Sequence, residues 1–104
     1  MYSQVLTAAH CVNNLWWPEM WFAMVGAHDF RKPGASMQNL KLKRIILYPK
    51  HNYKTHEGDI ALIELQNPAK LNNEVSLACL PSKIGEQSTI GTECVITGRN
   101  FDQP

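Results

Sequence analysis

The chain has 104 residues, of which 44% are hydrophobic, so it can bury one small core but not two complete domains. Its 10 basic residues nearly balance its 9 acidic residues, and we expect neither nucleic acid nor an anionic membrane surface as a partner. No apolar run reaches the roughly 18 residues that span a bilayer, and the residues after Met1 lack the pattern of an export signal. We therefore expect no membrane segment and no signal peptide in these residues.

In chain order, the pattern predicts short strands separated by loops that are rich in turn-forming residues. The strands are expected at residues 4–8, 21–25, 40–47, 59–65 and 93–97. The strand at 59–65 is apolar on both faces, which predicts a position inside a sheet. Loops are predicted at residues 30–38, with a turn at Lys32-Pro33-Gly34, at residues 50–58 and at residues 69–91. This pattern is typical of an all-β barrel or sandwich.

A histidine and an aspartate stand at the ends of two predicted strands. His10 follows the first strand, and Asp59 opens the fourth. Histidine can take and return a proton near neutral pH, and a carboxylate that accepts a hydrogen bond from its ring fixes the tautomer. The pair is therefore a candidate for nucleophilic catalysis. The alternative is that His10 is a hydrogen-bonded core histidine and that Asp59 caps a strand.

The cysteines form an odd set of three, Cys11, Cys79 and Cys94, without a CxxC pair or the spacing of a metal finger. At least one of them has no partner within the chain. Two interpretations stay open: three free buried thiols in a cytosolic protein, or a piece of a longer disulfide-bonded protein.

Four short segments follow one another along nearly the whole chain. They are VLTAAHC at residues 5–11, GDIAL at 58–62, ACLP at 78–81 and TECVITG at 92–98. In this order and spacing they resemble the trypsin-like serine peptidase family, and MVGAH at residues 24–28 is similar to plasminogen-type members. The resemblance covers the middle of the family's domain.

The resemblance implies an all-β fold that is a portion of a two-β-barrel peptidase domain. Residues 1–92 would supply most of the first barrel and the connecting segment, and residues 93–104 the start of the second barrel. The two opening strands of the first barrel would be missing. Because unpaired edges and an open core follow, we expect the isolated chain to be marginally stable or to aggregate.

The resemblance also implies catalytic roles and an activity. His10 matches the general base and acid, and Asp59 matches the carboxylate that orients it. The family's nucleophile lies in a Gly-Asp-Ser-Gly-Gly motif, and none of the chain's five serines stands in one. We therefore expect a serine endopeptidase acting on protein or peptide substrates, with this chain alone inactive. The alternative is a non-catalytic homologue or truncated isoform that acts as a binding module.

The resemblance implies a secreted parent in which the three cysteines form disulfides with residues outside this chain. No cofactor is expected.

The segment 30–42 lacks acidic residues, so we expect no calcium. A zinc site drawn from the cysteine and histidine side chains has no ligand pair spaced on one element, so we expect no metal. The histidines and cysteine considered are His10, Cys11, His28, His51 and His56.

Two further features concern the comparison with this family: one departure from its sequence pattern and one loop beside its substrate cleft. Gly98-Arg99-Asn100 replaces the Gly-Trp-Gly of most members, which indicates a divergent member or a splice or gene-model boundary. The loop at residues 13–21 would border the substrate cleft, and its tryptophans could shape access or bind a partner. The alternative is that Trp21 belongs to the core while Trp16 and Trp17 pack on the barrel.

Overall fold

Four antiparallel strands form a single curled sheet in a computed structural model that describes residues 3–29, 31, 34 and 36–98. The order across the sheet is β1, β4, β3, β2. A four-residue helix, α1 (Ala9–Val12), follows β1, and a 3₁₀ turn at Pro18–Met20 precedes β2. The strands are β1 (Gln4–Thr7), β2 (Phe22–Val25), β3 (Gln38–Leu47) and β4 (Ala61–Leu65).

Strand β4 lies between β1 and β3, as its apolar sequence predicts. Ile63 at its centre is buried and lies opposite Val5 of β1 and Ile45 of β3. Successive side chains of a strand point to opposite faces, and the alternate residues Ala61, Ile63 and Leu65 are the buried ones. One face of β4 therefore forms the centre of the core.

Helix α1 is attached to this core by two of its four residues. Ala9 and Val12 lie three positions apart, on one face of the helix, and both are buried in the same apolar cluster as Leu42 and the three buried residues of β4. His10 and Cys11, which lie between them, are exposed. The core thus fixes the helix with the His10 side chain directed away from it.

Four of the five predicted strands are present, with ends within two residues of the predicted ones. The prediction of a strand at residues 93–97 is wrong: the segment is exposed and forms no strand. A strand needs a hydrogen-bonding partner, and the described residues provide none there. The predicted turn at Lys32-Pro33-Gly34 and the departure at Gly98-Arg99-Asn100 lie largely outside the described residues.

Within the described part, no helix is long enough and apolar enough to cross a bilayer.

The core is small. Many large apolar side chains stay exposed on the described part, among them Leu6, Ile46 and Ile60, which line an apolar groove of about 290 Å³. This exposure is consistent with an open half-barrel, in which part of the sheet's apolar surface has no layer over it.

Candidate active site

The pairing of β1 with β4 brings the two candidate catalytic residues together. Thr7 at the end of β1 lies opposite Ala61 at the start of β4. In an antiparallel pair the end of one strand lies beside the beginning of the other, so the residues after Thr7 are neighbours of those before Ala61. His10 and Asp59 occupy these two positions, 49 residues apart in sequence.

Asp59 contacts His10 through both carboxylate oxygens. The Oδ1 atom accepts a hydrogen bond from the backbone N–H of His10 at 2.8 Å, and Oδ2 lies 2.5 Å from the ring atom Nδ1. The side chain of Asp59 is 19% exposed, whereas that of His10 is 55% exposed. The carboxylate is therefore sheltered, and the imidazole that it holds is open to solvent and to a substrate.

The hydrogen bonds from His10 also set the charge of Asp59. The backbone N–H of His10, and then its ring, lower the pKa of Asp59 below its ordinary value because they stabilise the carboxylate. His51 lowers it further through its charge. Asp59 is thus anionic at neutral pH, as a carboxylate that stabilises an imidazolium must be.

Gly58 allows the chain to turn into this position. Its φ angle is +63°, and a Cβ atom built there would lie 2.7 Å from Cδ1 of Tyr48, closer than real Cβ atoms approach. A side chain at this position would therefore meet both backbone strain and the Tyr48 ring. The requirement for glycine next to Asp59 is thus a local structural one.

A buried histidine, His51, lies on the far side of Asp59. Its side chain is 2% exposed, and its Nε2 atom lies 3.5 Å from Oδ1 of Asp59. Its ring packs edge-on against Tyr53, with centroids 4.4 Å apart. Neither ring nitrogen has a hydrogen-bond partner among the described residues. His51 therefore faces the carboxylate without a direct hydrogen bond to it, a contact that the sequence did not indicate.

A second histidine, His56, meets His10 from the loop before β4. The two rings are T-shaped, with centroids 5.8 Å apart. One ligand atom each of His10, His56 and Asp59 lies within 4.8 Å of the other two. The sequence placed His56 in a polar loop and considered it only for a zinc site, which was not expected because no ligand pair is spaced on one element.

The cysteines are exposed free thiols in the described part, so the interpretation of three buried thiols is wrong. Sγ of Cys11 lies 3.6 Å from Nε2 of His10. Cys79 and Cys94 lie in the exposed segment that follows β4.

The three tryptophans are also at the surface. Trp16 is 74% exposed, Trp17 69% and Trp21 47%, so the interpretation that they pack in or on the barrel is wrong for the described part. Trp17 has a φ angle of +59°, which is rare for a bulky residue. The apolar area that these rings leave in water is large for so short a segment.

A family model described as Trypsin matches residues 1–102. The chain belongs to the trypsin family. It is 36% identical over 102 residues to Protein masquerade of Drosophila melanogaster and 33% identical over 102 residues to Vitamin K-dependent protein C of Oryctolagus cuniculus. These matches cover 93% and 95% of this chain but 10% and 22% of the two relatives.

Membership of the trypsin family confirms the resemblance found in the sequence and the fold class that it implied. The four-stranded half-barrel is a partial trypsin-like β-barrel.

Proposed function

We propose that His10 and Asp59 are the general base and the orienting carboxylate of a serine endopeptidase. The observation that carries the proposal is the double contact of Asp59 with the backbone and ring of His10. Two anchoring points fix the position of the imidazole better than one, and a sheltered carboxylate beside an exposed ring is the arrangement that proton transfer needs.

The proposed reaction follows from this geometry. Asp59 accepts the Nδ1–H of His10, which leaves the lone pair of Nε2 free to take the hydroxyl proton of a serine. The serine oxygen then bonds to the carbonyl carbon of the substrate, and the proton on Nε2 passes to the departing amine as the peptide bond breaks. Water, activated by the same Nε2, releases the acyl group and restores the serine. Asp59 stays anionic throughout and stabilises the imidazolium.

The nucleophile is proposed to lie outside these 104 residues, because no serine of the chain stands in a Gly-Asp-Ser-Gly-Gly motif. In this proposal the chain is a fragment, inactive alone, with residues 1–92 in the first barrel and residues 93–104 at the start of the second. The parent would be secreted and act on protein or peptide substrates, and Cys11, Cys79 and Cys94 would form disulfides with residues beyond the fragment.

The exposed tryptophans favour a second candidate function, a non-catalytic binding module. Trp16 and Trp17 are each more than two-thirds exposed, and rigid aromatic side chains are typical anchors of protein interfaces. This candidate needs no serine. It differs from the first in requiring the tryptophan loop, residues 13–21, rather than the His10 and Asp59 pair.

Two experiments distinguish the two candidate functions: sequencing the transcript beyond Pro104, and labelling with a covalent probe. We call the longest natural translation product that contains these residues the parent product. A fluorophosphonate labels a serine only when a neighbouring base activates it. We expect a Gly-Asp-Ser-Gly-Gly motif in the parent product and labelling that His10→Ala abolishes. The matched control is His28→Ala, which changes another exposed histidine and should leave labelling intact.

A stop codon directly after Pro104, or labelling that His10→Ala leaves unchanged, would overturn the peptidase proposal. The binding module would then be favoured. Hydrolysis of a lysyl or arginyl peptide by the pure 104-residue chain would contradict the proposal that the nucleophile lies elsewhere.

A further inference from the structure

Three side chains of the kind that bind transition metals meet at the mouth of the candidate active site. His10 comes from α1, His56 from the loop before β4, and Asp59 from the residues just before that strand. One ligand atom from each lies within 4.8 Å of the other two. No two of them lie at ligand spacing on one helix or strand, which is why the sequence predicted no metal.

The loop backbone holds His56 in this place. The N–H of His56 donates to the carbonyl oxygen of Asn52 at 2.7 Å, and the N–H of Asn52 donates to the carbonyl oxygen of Glu57 at 2.9 Å. The Oδ1 atom of Asn52 accepts from the backbone N–H of Lys54 at 2.9 Å. His56 itself has a φ angle of +61°. The loop is therefore closed by its own hydrogen bonds, with the His56 ring turned toward His10.

The donor set selects the class of metal. Two imidazole nitrogens and one carboxylate oxygen suit zinc and its neighbours, whereas calcium and magnesium prefer oxygen ligands alone. Three protein ligands leave a fourth tetrahedral position for water. The set thus resembles open zinc sites, which keep one position for water or substrate.

The distances allow such a site after a small movement. Bonds of about 2.0–2.1 Å in a tetrahedral zinc site place ligand atoms about 3.3 Å apart, so the side chains must approach by up to about 1.5 Å. His10 and His56 are exposed, so their side chains have room to rotate. Asp59 already lies against the ring of His10, so these two ligands start close together.

We propose that His10, His56 and Asp59 bind a zinc-type divalent cation and that the bound metal inhibits hydrolysis. The inhibition rests on the proposed function, whereas the binding does not. A metal on Nε2 of His10 occupies the lone pair that would take the serine proton. A metal on Nδ1 removes the hydrogen bond to Asp59. Either mode stops proton transfer, so metal and catalysis exclude each other.

The binding test uses the parent product with zinc chloride in a calorimetric titration and with cobalt chloride in absorption spectra. His56→Asn removes one ligand, and asparagine tolerates the left-handed backbone of this position. We expect it to weaken zinc binding about tenfold or more. His28→Asn is the matched control and should bind zinc as the wild type does. Circular dichroism of both variants checks that the fold is kept.

Any cysteine that is a free thiol in the parent product is a competing ligand, and cobalt distinguishes it. A thiolate bound to cobalt gives a charge-transfer absorption in the near ultraviolet that imidazole and carboxylate do not give. We expect no such band at the first equivalent and unchanged zinc affinity in Cys11→Ser. Equal affinity in wild type and His56→Asn, or a band that Cys11→Ser removes, would overturn the proposal.

Inhibition is measured separately in the parent product as the zinc concentration that halves peptide hydrolysis. We expect this concentration to rise about tenfold or more in His56→Asn and to stay unchanged in His28→Asn. An equal inhibitory concentration in wild type and His56→Asn would overturn the inhibitory role. If the parent product hydrolyses nothing, the proposed function fails while the calorimetric result still decides the metal site.

Discussion

Asp59 accepts hydrogen bonds from both the backbone and the ring of His10, a residue 49 positions earlier in the chain. The sheet creates this contact because β1 and β4 pair antiparallel, with His10 just past one strand and Asp59 just before the other. The buried residues of α1 then hold the imidazole on the outer side of the core. The candidate active site is thus a direct product of strand pairing and of one short helix.

The lowered pKa of Asp59 predicts a loss of stability in acid. The folded protein binds a proton at Asp59 less readily than the unfolded chain does. The stabilisation of the folded state by the Asp59 carboxylate is therefore fully present above the unfolded pKa, about 3.9. It is lost as the pH falls from there through the folded pKa. Denaturant unfolding of the parent product at a series of pH values should show this loss. In Asp59→Asn the acid-dependent loss should be smaller, and an identical pH profile would contradict the prediction.

Replacing Gly58 by alanine should destabilise the protein more than the same change at Gly85. Both glycines have positive φ angles, +63° and +79°, but a Cβ at Gly85 meets nothing within 4 Å, whereas one at Gly58 meets the Tyr48 ring. We expect Gly58→Ala to lower the free energy of unfolding by about 1–3 kcal/mol. Gly85→Ala carries the backbone strain alone and is the matched control. Equal thermal melting of the two variants would show that the contact with Tyr48 is unimportant.

The core position of β4 predicts a large effect of Ile63→Ala. Ile63 is buried between Val5 and Ile45, so its truncation should cost about 2–5 kcal/mol of unfolding free energy. Ile84 is fully exposed, and Ile84→Ala should change stability by less than about 0.5 kcal/mol. Chemical denaturation of both variants gives the comparison. A similar small change at both positions would contradict the central placement of β4.

The exposed tryptophans predict an unusual fluorescence signal. In the parent product, the difference in emission between wild type and a variant with Trp16, Trp17 and Trp21 changed to phenylalanine isolates these three residues. Because Trp16 and Trp17 are more than two-thirds exposed and Trp21 about half exposed, their emission should be close to that of indole in water, and its quenching by acrylamide should change little on unfolding. Strongly blue-shifted emission that unfolding removes would mean that the rings are buried in the parent product.

The sequence predicted the features that depend on local pattern. The apolar run ending at Leu65 indicated the central strand, and the strand ends marked His10 and Asp59. The sequence-based prediction failed where a segment needs a neighbouring strand to become a strand itself. Residues 93–97 have the composition of a strand but meet no neighbour among the described residues. Helix α1 has only four residues, too few for a helical period.

The rest of the site could not be predicted because it depends on how loops fold. His51 and His56 lie in a polar loop without periodicity. The N–H of His51 donates to the carbonyl oxygen of Tyr48, and hydrogen bonds centred on Asn52 hold the backbone of His56. The tryptophan loop shows the opposite failure. Large aromatic rings are usually buried, yet Trp16 and Trp17 are exposed because the half-barrel has no packed surface next to them.

The rate of peptide hydrolysis by Asp59→Asn in the parent product tests the central claim most directly. An asparagine can keep a hydrogen bond to His10, but it cannot stabilise the imidazolium and favours the wrong tautomer. The account predicts a fall in kcat of about 10⁴-fold with the fold retained by circular dichroism. A fall of less than about tenfold would show that Asp59 does not orient a catalytic histidine, and the account would be wrong.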